Sequence, residues 1–173
     1  MRLFAQDNNL TAQSLASAHA NLTKHILQKP QQGKMRTGNM YVLTKEGKIK
    51  YVAAVPEMLP VEMDKFYFDL ENLLSMDLSF EEVFFFASLI HLVFIKIHPF
   101  EDGNGRTARL LEKWFLAQKL GPKAWFIQSE RYYYEQHQVS YHNIRKLGLE
   151  YETLQYSAAL PFVQMLPQSL NYE

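Results

Sequence analysis

The residues best suited to chemistry lie in one twelve-residue segment, 98–109, which reads HPFEDGNGRTAR. Gly103 and Gly105 bracket Asn104 and leave the backbone free to adopt positive φ angles and to approach a ligand closely. If a helix begins at this point, its first N–H groups form a cradle for an anion such as a phosphate. The segment therefore predicts a phosphate-binding loop between two helices.

Four side chains of this segment have complementary chemistry. Arg106 and Arg109 are three residues apart, so both are expected on one helix face, and their forked guanidinium groups suit phosphate oxygens. Asp102 offers the hard oxygen ligand that Mg²⁺ uses when it also bridges substrate phosphates. His98 is the group best able to accept a proton near neutral pH. This set predicts a site that transfers a phosphate-bearing group.

Several other classes of site are excluded. The chain has no P-loop pattern GxxxxGK(S/T), and Arg106 stands where an EF-hand needs Asp or Asn. The absence of cysteine excludes disulfides, thiolate metal sites and a cysteine nucleophile. Eighteen basic residues balance eighteen acidic ones, so no net charge favours a nucleic acid or a membrane as partner. We expect neither.

The elements that must position this segment are mainly helical. Ser79 and Glu82 form a capping box that begins an apolar helix. This helix must end near His98, because a residue that precedes proline is disfavoured in the helical region. The next helix is predicted from Asn104 to Gly121, a glycine typical of helix ends. Further helices are predicted after Thr11, from Pro60, over residues 129–147 and, interrupted at Pro161, in the tail from Glu150.

One stretch is typical of strands instead. Residues 40–43 and 49–53 are rich in β-forming side chains and flank a glycine-containing turn, which predicts a small hairpin. A lone hairpin is marginal in water, so it must lie against the helices. With 173 residues, 47% of them apolar, the chain can form one sizeable core. We expect an all-α single domain over 1–173, with a β-hairpin flap at about 39–54 and C-terminal helices at 129–173.

The apolar segments bear on the expected location. The first residues lack the apolar core of a signal peptide. The most apolar run, 83–97, contains His91 and Lys96 and is shorter than a membrane span, which needs about 20 residues. It is therefore interpreted as a buried central helix. We therefore expect a cytoplasmic protein, while secretion as an effector stays open.

At this point the motif resembles a known family. Residues 98–109 match every specified position of HPFx(D/E)GNGRxxR, the signature of the Fic (Fic/Doc) family. Residues 33–39 resemble its upstream GxxR segment, the hairpin resembles its flap, and residues 129–133 resemble a weaker downstream stretch. The resemblance covers about 33–134 and implies a mainly helical fold in which the motif loop joins two core helices.

The resemblance implies protein AMPylation, the Mg²⁺-dependent transfer of AMP from ATP to a Ser, Thr or Tyr hydroxyl of a target protein. Pyrophosphate is the second product. The target segment is expected to dock on the flap by strand addition, which gives register but little sequence choice. The implied cofactors are ATP, as donor substrate, and Mg²⁺.

The family motif also implies a role for each matching residue. His98 deprotonates the attacking hydroxyl, and Asp102 holds Mg²⁺ on the α- and β-phosphates. Backbone amides and the side chain of Asn104 cradle the phosphates, while Arg106 binds the β- and γ-phosphates with help from Arg109. The phosphate- and nucleotide-binding residues are thus Gly103, Asn104, Gly105, Arg106 and Arg109.

Many members of the family carry an inhibitory helix with the motif (S/T)xxxE(G/N), whose Glu pairs with the second motif arginine, here Arg109. The one (S/T)xxxE match runs from Ser169 to Glu173, where the chain stops before the Gly or Asn that the motif specifies. Three regulatory states therefore stay open: inhibition by Glu173, an unrestrained enzyme, or control by a separate inhibitor protein.

Alternatives to AMP transfer also stay open. The same fold could use another nucleotide or phosphate donor, or remove AMP, and a non-catalytic module could bind a phosphorylated or nucleotidylated protein. His98 and Asp102 argue against pure binding, which needs no base beside a metal ligand. His91, on the face of His98, is interpreted as a core histidine. The target protein, the base specificity and the oligomeric state stay undetermined.

Overall fold

The computed structural model describes residues 2–43 and 47–172. Its helices are α1 (Arg2–Gln6), α2 (Ala12–Thr23), α3 (Leu59–Ser75), α4 (Phe80–Ile97), α5 (Asn104–Leu120), α6 (Ser129–Glu135), α7 (His137–Arg145), α8 (Leu160–Val163) and α9 (Met165–Gln168). The strands are β1 (Tyr41–Leu43) and β2 (Ile49–Val52). Short 3-10 turns lie at Lys29–Gln31, Pro56–Met58, Pro122–Phe126, Tyr151–Thr153, Tyr156–Ala158 and Ser169–Asn171. The predicted helical fold with a small hairpin is confirmed.

Helices α4 and α5 form the centre of the molecule and pack against each other, with α2, α3 and α8 around them. The predicted capping box begins α4: Ser79 Oγ accepts the Glu82 N–H at 3.2 Å, and the Glu82 carboxylate accepts the Ser79 N–H at 2.8 Å. Most of α4 is buried, as its apolar sequence predicts. Within residues 2–43 and 47–172, no helix is sufficiently long and apolar to cross a membrane.

The hairpin lies on the helical body through one face of its second strand. β1 and β2 are antiparallel, with Tyr41 opposite Val52 and Val42 opposite Tyr51. The Tyr51 side chain is buried, whereas Tyr41 is 53% exposed. The Val52 N–H donates to the Leu149 carbonyl at 2.7 Å, so the segment after α7 covers the outer edge of β2. The predicted turn at 44–46 lies outside the described residues.

Two predictions near the C-terminus are wrong. Residues 129–147, predicted as one helix, form two helices, α6 and α7, which are separated at Gln136. The two helices have different neighbours, since α6 packs on Ser169–Asn171 and α7 packs on α8 and β2. Pro161 does not interrupt a helix but lies in the first turn of α8, where the missing N–H has no helical acceptor to lose.

Candidate active site

The end of α4 creates the position of His98. His98 adopts a left-handed conformation, with φ 54° and ψ 59°, and its N–H donates to the Phe94 carbonyl at 2.9 Å. The next residue is Pro99, which has no N–H, so the Ile95 carbonyl loses the donor that a continuing helix would supply. That carbonyl instead accepts the Tyr51 hydroxyl at 3.1 Å and lies 3.3 Å from His98 Nδ1. The proline thus frees an acceptor that holds the His98 ring.

His98 is neutral at pH 7 in this environment. The pKa of His98 is lowered to about 4, chiefly by burial and to a smaller extent by the positive charge of Arg36, against the opposing effects of the Ile95 carbonyl and Asp102. Its Nδ1 lies 3.1 Å from the Tyr51 hydroxyl oxygen. A neutral imidazole with its Nδ1 atom engaged on the protein side can accept a proton on its Nε2 atom.

Arg36 joins the segment before the flap to the motif loop. Its guanidinium donates to four carbonyls: those of His98 and Gly38, both at 2.7 Å, of Ala54 at 2.5 Å and of Ile97 at 3.4 Å. The Arg36 backbone N–H also donates to the Pro99 carbonyl at 2.9 Å. The side chain is 4% exposed. Arg36 is the arginine of the GxxR segment, but the sequence alone did not predict that its side chain donates to the His98 carbonyl.

His19 of α2 supports the loop from the opposite side. It is fully buried, and its ring stacks on Phe100 with 3.7 Å between ring centroids. Its Nδ1 accepts the Gly33 N–H at 2.9 Å, so the ring proton lies on Nε2, which donates to the Asp102 carbonyl at 2.9 Å. The sequence analysis assigns no role to His19, because its partners in the loop are distant along the chain.

Gly103 and Asn104 stabilise the loop in different ways. Gly103 has a φ of 81°, and a Cβ at this position would lie 2.6 Å from Thr23 Cγ2. The Asn104 side chain accepts the Phe100 N–H at 3.0 Å and donates to the Phe100 carbonyl at 2.8 Å, and it is 1% exposed. The Asn104 amide group is therefore engaged in closing the loop, whereas the resemblance implied that it cradles phosphates.

A cavity of about 440 Å³ lies beside His98. Of the residues predicted to act on the substrate, His98, Gly105 and Arg109 line this cavity together. Arg106 leaves α5 in another direction, with Nη2 3.5 Å from Asp102 Oδ1 and Nη1 3.5 Å from the Leu22 carbonyl. The remaining cavity walls come from Val42, Tyr51, His91, Ile95, Glu130, Tyr133, Tyr134, His137, Ser140, Tyr141 and Ile144.

A buried polar cluster lies behind one wall of the cavity. His91 is buried, and its Nδ1 lies 2.8 Å from Glu112 Oε2, which also accepts the Tyr133 hydroxyl at 2.9 Å. His91 is therefore buried, as interpreted, but it also lines the cavity. Sequence reasoning missed Glu112, since α5 and α4 bring these residues together without any local signal.

Asp102 fits the chemistry of a Mg²⁺ ligand. Its carboxylate lies at the protein surface, and its Oδ1 accepts the Gly103 N–H and faces Arg106. Mg²⁺ in phosphate-transfer sites is held by one or two carboxylates together with substrate phosphates. The part of the chain that the structure describes contains no group of three or more His, Cys, Asp or Glu residues able to hold a metal, and a shared site of this kind requires none.

The candidate inhibitory residues lie at the C-terminus. Ser169 is 2% exposed, and its hydroxyl donates to the Leu166 carbonyl at 2.6 Å. Tyr172 packs against Tyr132 of α6, and its hydroxyl donates to Glu135. Glu173 lies outside the described residues. The inhibition hypothesis therefore stays a prediction.

Sequence comparison relates the chain to one family. The model of the Fic/DOC family matches residues 9–116. A protein from Nematostella vectensis named "Protein adenylyltransferase Fic" is 32% identical over 109 residues, which are 63% of this chain and 23% of that protein.

Structure comparison gives the same relationship for the fold. A Fic family protein from Desulfovibrio desulfuricans G20 superimposes with a TM-score of 0.79 at 22% identity, over 98% of this chain and 47% of that one. A Fic domain containing signaling protein from Bacteroides thetaiotaomicron VPI-5482 gives a TM-score of 0.68 at 24% identity, over 98% of this chain and 65% of that one. The chain thus spans less than two thirds of each relative.

Proposed function

This chain belongs to the Fic/DOC family, and we propose that it is a protein adenylyltransferase that moves AMP from ATP to a hydroxyl group of a target protein. The relative from Nematostella vectensis, which is named a protein adenylyltransferase, supports this class of reaction. The observation that carries the proposal is the neutral His98, held beside Gly105 and Arg109 in one cavity.

The proposed reaction follows from the position of His98. The target hydroxyl oxygen attacks the α-phosphorus of ATP, and its proton moves to Nε2 of His98. The bond between the α-phosphorus and the oxygen that bridges to the β-phosphorus breaks, and pyrophosphate leaves. Transfers of this kind depend mainly on positioning and charge stabilisation.

The start of α5 supplies the phosphate contacts in this proposal. The N–H groups of Asn104, Gly105 and Arg106 lie in the first turn, where a helix has no internal acceptors for them and carries a partial positive charge. Arg109 adds a guanidinium on the cavity wall. Asp102 would hold Mg²⁺, which when bound would neutralise phosphate charge. Arg106, which faces Asp102, is proposed to bind the β- and γ-phosphates.

The target segment is proposed to dock on the flap. The Leu149 carbonyl already occupies the Val52 N–H on the outer edge of β2. The outer edge of β1, Tyr41–Leu43, is therefore the edge that we assign to strand addition. Main-chain hydrogen bonds there would fix the register of an extended segment without reading much of its sequence.

The test compares label from α-³²P-ATP with label from γ-³²P-ATP, incubated with Mg²⁺ and a protein lysate. His98→Ala removes the proposed base, and His142→Ala, an exposed histidine outside the cavity, is the matched control. Label from the α position only, lost in His98→Ala and kept in His142→Ala, is the expected result. Label from the γ position would instead establish phosphorylation. Absence of label from either position, with ATP still bound equally by wild type and His98→Ala, would favour another donor or a binding module.

A single substitution tests the inhibitory hypothesis. Because Ser169 is buried, deletion of residues 169–173 would disturb packing as well as remove Glu173. Glu173→Gln removes only the charge, and Glu150→Gln, at an exposed acidic position elsewhere in the sequence, is the control. If Glu173 pairs with Arg109, turnover should rise severalfold in Glu173→Gln. Equal turnover in wild type and both variants would discard inhibition by Glu173.

A further inference from the structure

We propose that Tyr51, on strand β2 of the flap, is a positioning residue for His98: its hydroxyl fixes the imidazole with a proton on Nδ1 and a lone pair on Nε2. The role of Nε2 as base rests on the proposed function. The hydrogen-bond assignment rests on geometry alone.

Three atoms form a closed triangle at the end of α4. The Tyr51 hydroxyl oxygen lies 3.1 Å from the Ile95 carbonyl oxygen and 3.1 Å from His98 Nδ1, while His98 Nδ1 lies 3.3 Å from the same carbonyl. The carbonyl can only accept. A hydroxyl can donate one proton and accept others, and a neutral imidazole nitrogen either donates or accepts.

Two arrangements of protons fit these distances, and only one satisfies every group. If Tyr51 donates to His98 Nδ1, the Ile95 carbonyl has no donor from either side chain and faces the Nδ1 lone pair at 3.3 Å. If Tyr51 donates to the carbonyl, His98 Nδ1 carries a proton and donates to the Tyr51 oxygen. Because an unpaired buried carbonyl is strongly disfavoured, the second arrangement is assigned. It leaves Nε2 unprotonated.

The surrounding structure holds the Tyr51 ring in place. Tyr51 is 3% exposed, and the ammonium group of Lys96 lies 4.6 Å from the centre of its ring. Lys96 Nζ also donates to the Gly148 carbonyl at 3.0 Å. Together with the hydrogen bond from Val52 to Leu149, these contacts clamp β2 between α4 and the segment after α7. The Tyr51 hydroxyl is therefore held in a fixed position relative to His98.

The tyrosine oxygen gains importance when His98 accepts a proton. The Nδ1–H then belongs to a cation, and hydrogen bonds from charged donors are about twice as strong as neutral ones. Removal of the hydroxyl should therefore weaken the proton affinity of His98 about fivefold. The charged groups that act on His98 are Arg36 and Asp102. The other titratable groups that line its cavity are His91, Arg109, Glu130, Tyr133, Tyr134, His137 and Tyr141. All of them stay in place when only the Tyr51 hydroxyl is removed.

The test is ¹⁵N NMR of the histidine-labelled full chain. Long-range ¹H–¹⁵N correlations distinguish a protonated from an unprotonated ring nitrogen, and loss of one signal set in His98→Asn assigns His98. The wild type should show a protonated Nδ1 at pH 7. Protonation on Nε2 instead would overturn the proposal without any variant. In a pH titration, Tyr51→Phe should lower the proton affinity of His98 about fivefold. Tyr41→Phe, the exposed tyrosine of β1, should leave it unchanged. Equal titration of wild type and Tyr51→Phe would overturn the positioning role.

A kinetic arm separates this inference from the proposed function. Tyr51→Phe should lower kcat for AMP transfer several-fold, shift the acid limb of the pH profile to lower pH, and leave KM for ATP unchanged. A fall in kcat with an unmoved acid limb would indicate a merely structural role and overturn the proposal. If the NMR results are as expected and the wild type transfers no AMP, the assignment of Tyr51 stands and the proposed function fails.

Discussion

The two glycines of the motif loop look equivalent in the sequence but should respond oppositely to alanine. Gly103 precedes α5 with a φ of 81°, and a Cβ there would lie 2.6 Å from Thr23 Cγ2. Gly105 lies within α5, and a Cβ there would meet only Arg109 Nη1, at 3.5 Å. We therefore expect Gly103→Ala to act on the free energy of unfolding and Gly105→Ala to act on catalysis.

The magnitude for Gly103→Ala has two parts. A left-handed conformation costs a residue with a Cβ about 1–2 kcal/mol. Overpacking against Thr23, which is fully buried, adds about 1–3 kcal/mol. The sum is about 2–5 kcal/mol, which in a chain of this length lowers the melting temperature by roughly 5–15 °C. Gly105→Ala should instead gain up to about 1 kcal/mol from helix propensity.

The assay is urea denaturation of a double-mutant cycle. Thr23→Ser removes the methyl group that a Cβ at residue 103 would strike, but it can keep the hydroxyl that donates to the His19 carbonyl at 2.8 Å. In the Thr23→Ser background, Gly103→Ala should cost only the conformational part plus contact with the His19 ring, at 3.3 Å. The coupling between the two substitutions should therefore be about 1 kcal/mol or more. The same proteins are then assayed for AMP transfer. Gly105→Ala should lower the rate of transfer at least about tenfold, because the added methyl group would displace the substrate phosphates.

Two results would refute this reasoning. A Gly103→Ala protein as stable as the wild type would contradict both the positive φ and the close approach of Thr23. An equal loss in the wild-type and Thr23→Ser backgrounds would contradict the steric part alone. Full activity in a stable Gly105→Ala protein would show that the first turn of α5 does not cradle phosphates.

Three further predictions concern buried groups. Burial lowers the pKa of Lys96 to about 8, so between pH 8 and 10.5 the unfolded chain binds more protons than the folded one and the free energy of unfolding rises with pH. In urea denaturation, Lys96→Met should lack this rise. Free energies of unfolding that depend on pH in the same way in wild type and Lys96→Met would contradict the prediction. Burial lowers the pKa of His98 to about 4, so the unfolded chain binds a proton at a higher pH than the folded one. As pH falls from 6.5 to 4, the wild type should therefore lose up to about 3 kcal/mol of unfolding free energy relative to His98→Asn. A difference between the two proteins that does not change with pH would count against the buried neutral ring. Asn104→Asp replaces the amide that donates to the Phe100 carbonyl at 2.8 Å with a carboxylate, which cannot donate. We expect it to destabilise the fold by about 1–3 kcal/mol, as measured by thermal melts. An unchanged melting temperature would show that the Asn104 side chain does not close the loop.

Local sequence was sufficient for the helices that have their own boundary signals. Ser79 and Glu82 cap α4, Pro99 ends it, and Gly121 ends α5. These signals act within a few residues, so they operate in any tertiary context. The wrong prediction at Gln136 has the opposite origin. No strong breaker stands there, and the different packing partners of α6 and α7 impose the break.

The candidate site divides along the same line. The sequence by itself determined that a loop joins α4 and α5, that glycines shape it, and that His98, Asp102 and Arg109 lie in one short segment. Each of these features depends only on neighbours along the chain. Only the tertiary structure decided which groups orient that segment. Tyr51 and Arg36 reach His98 from far along the chain, and hydrogen bonds made through space leave no periodic trace in a sequence.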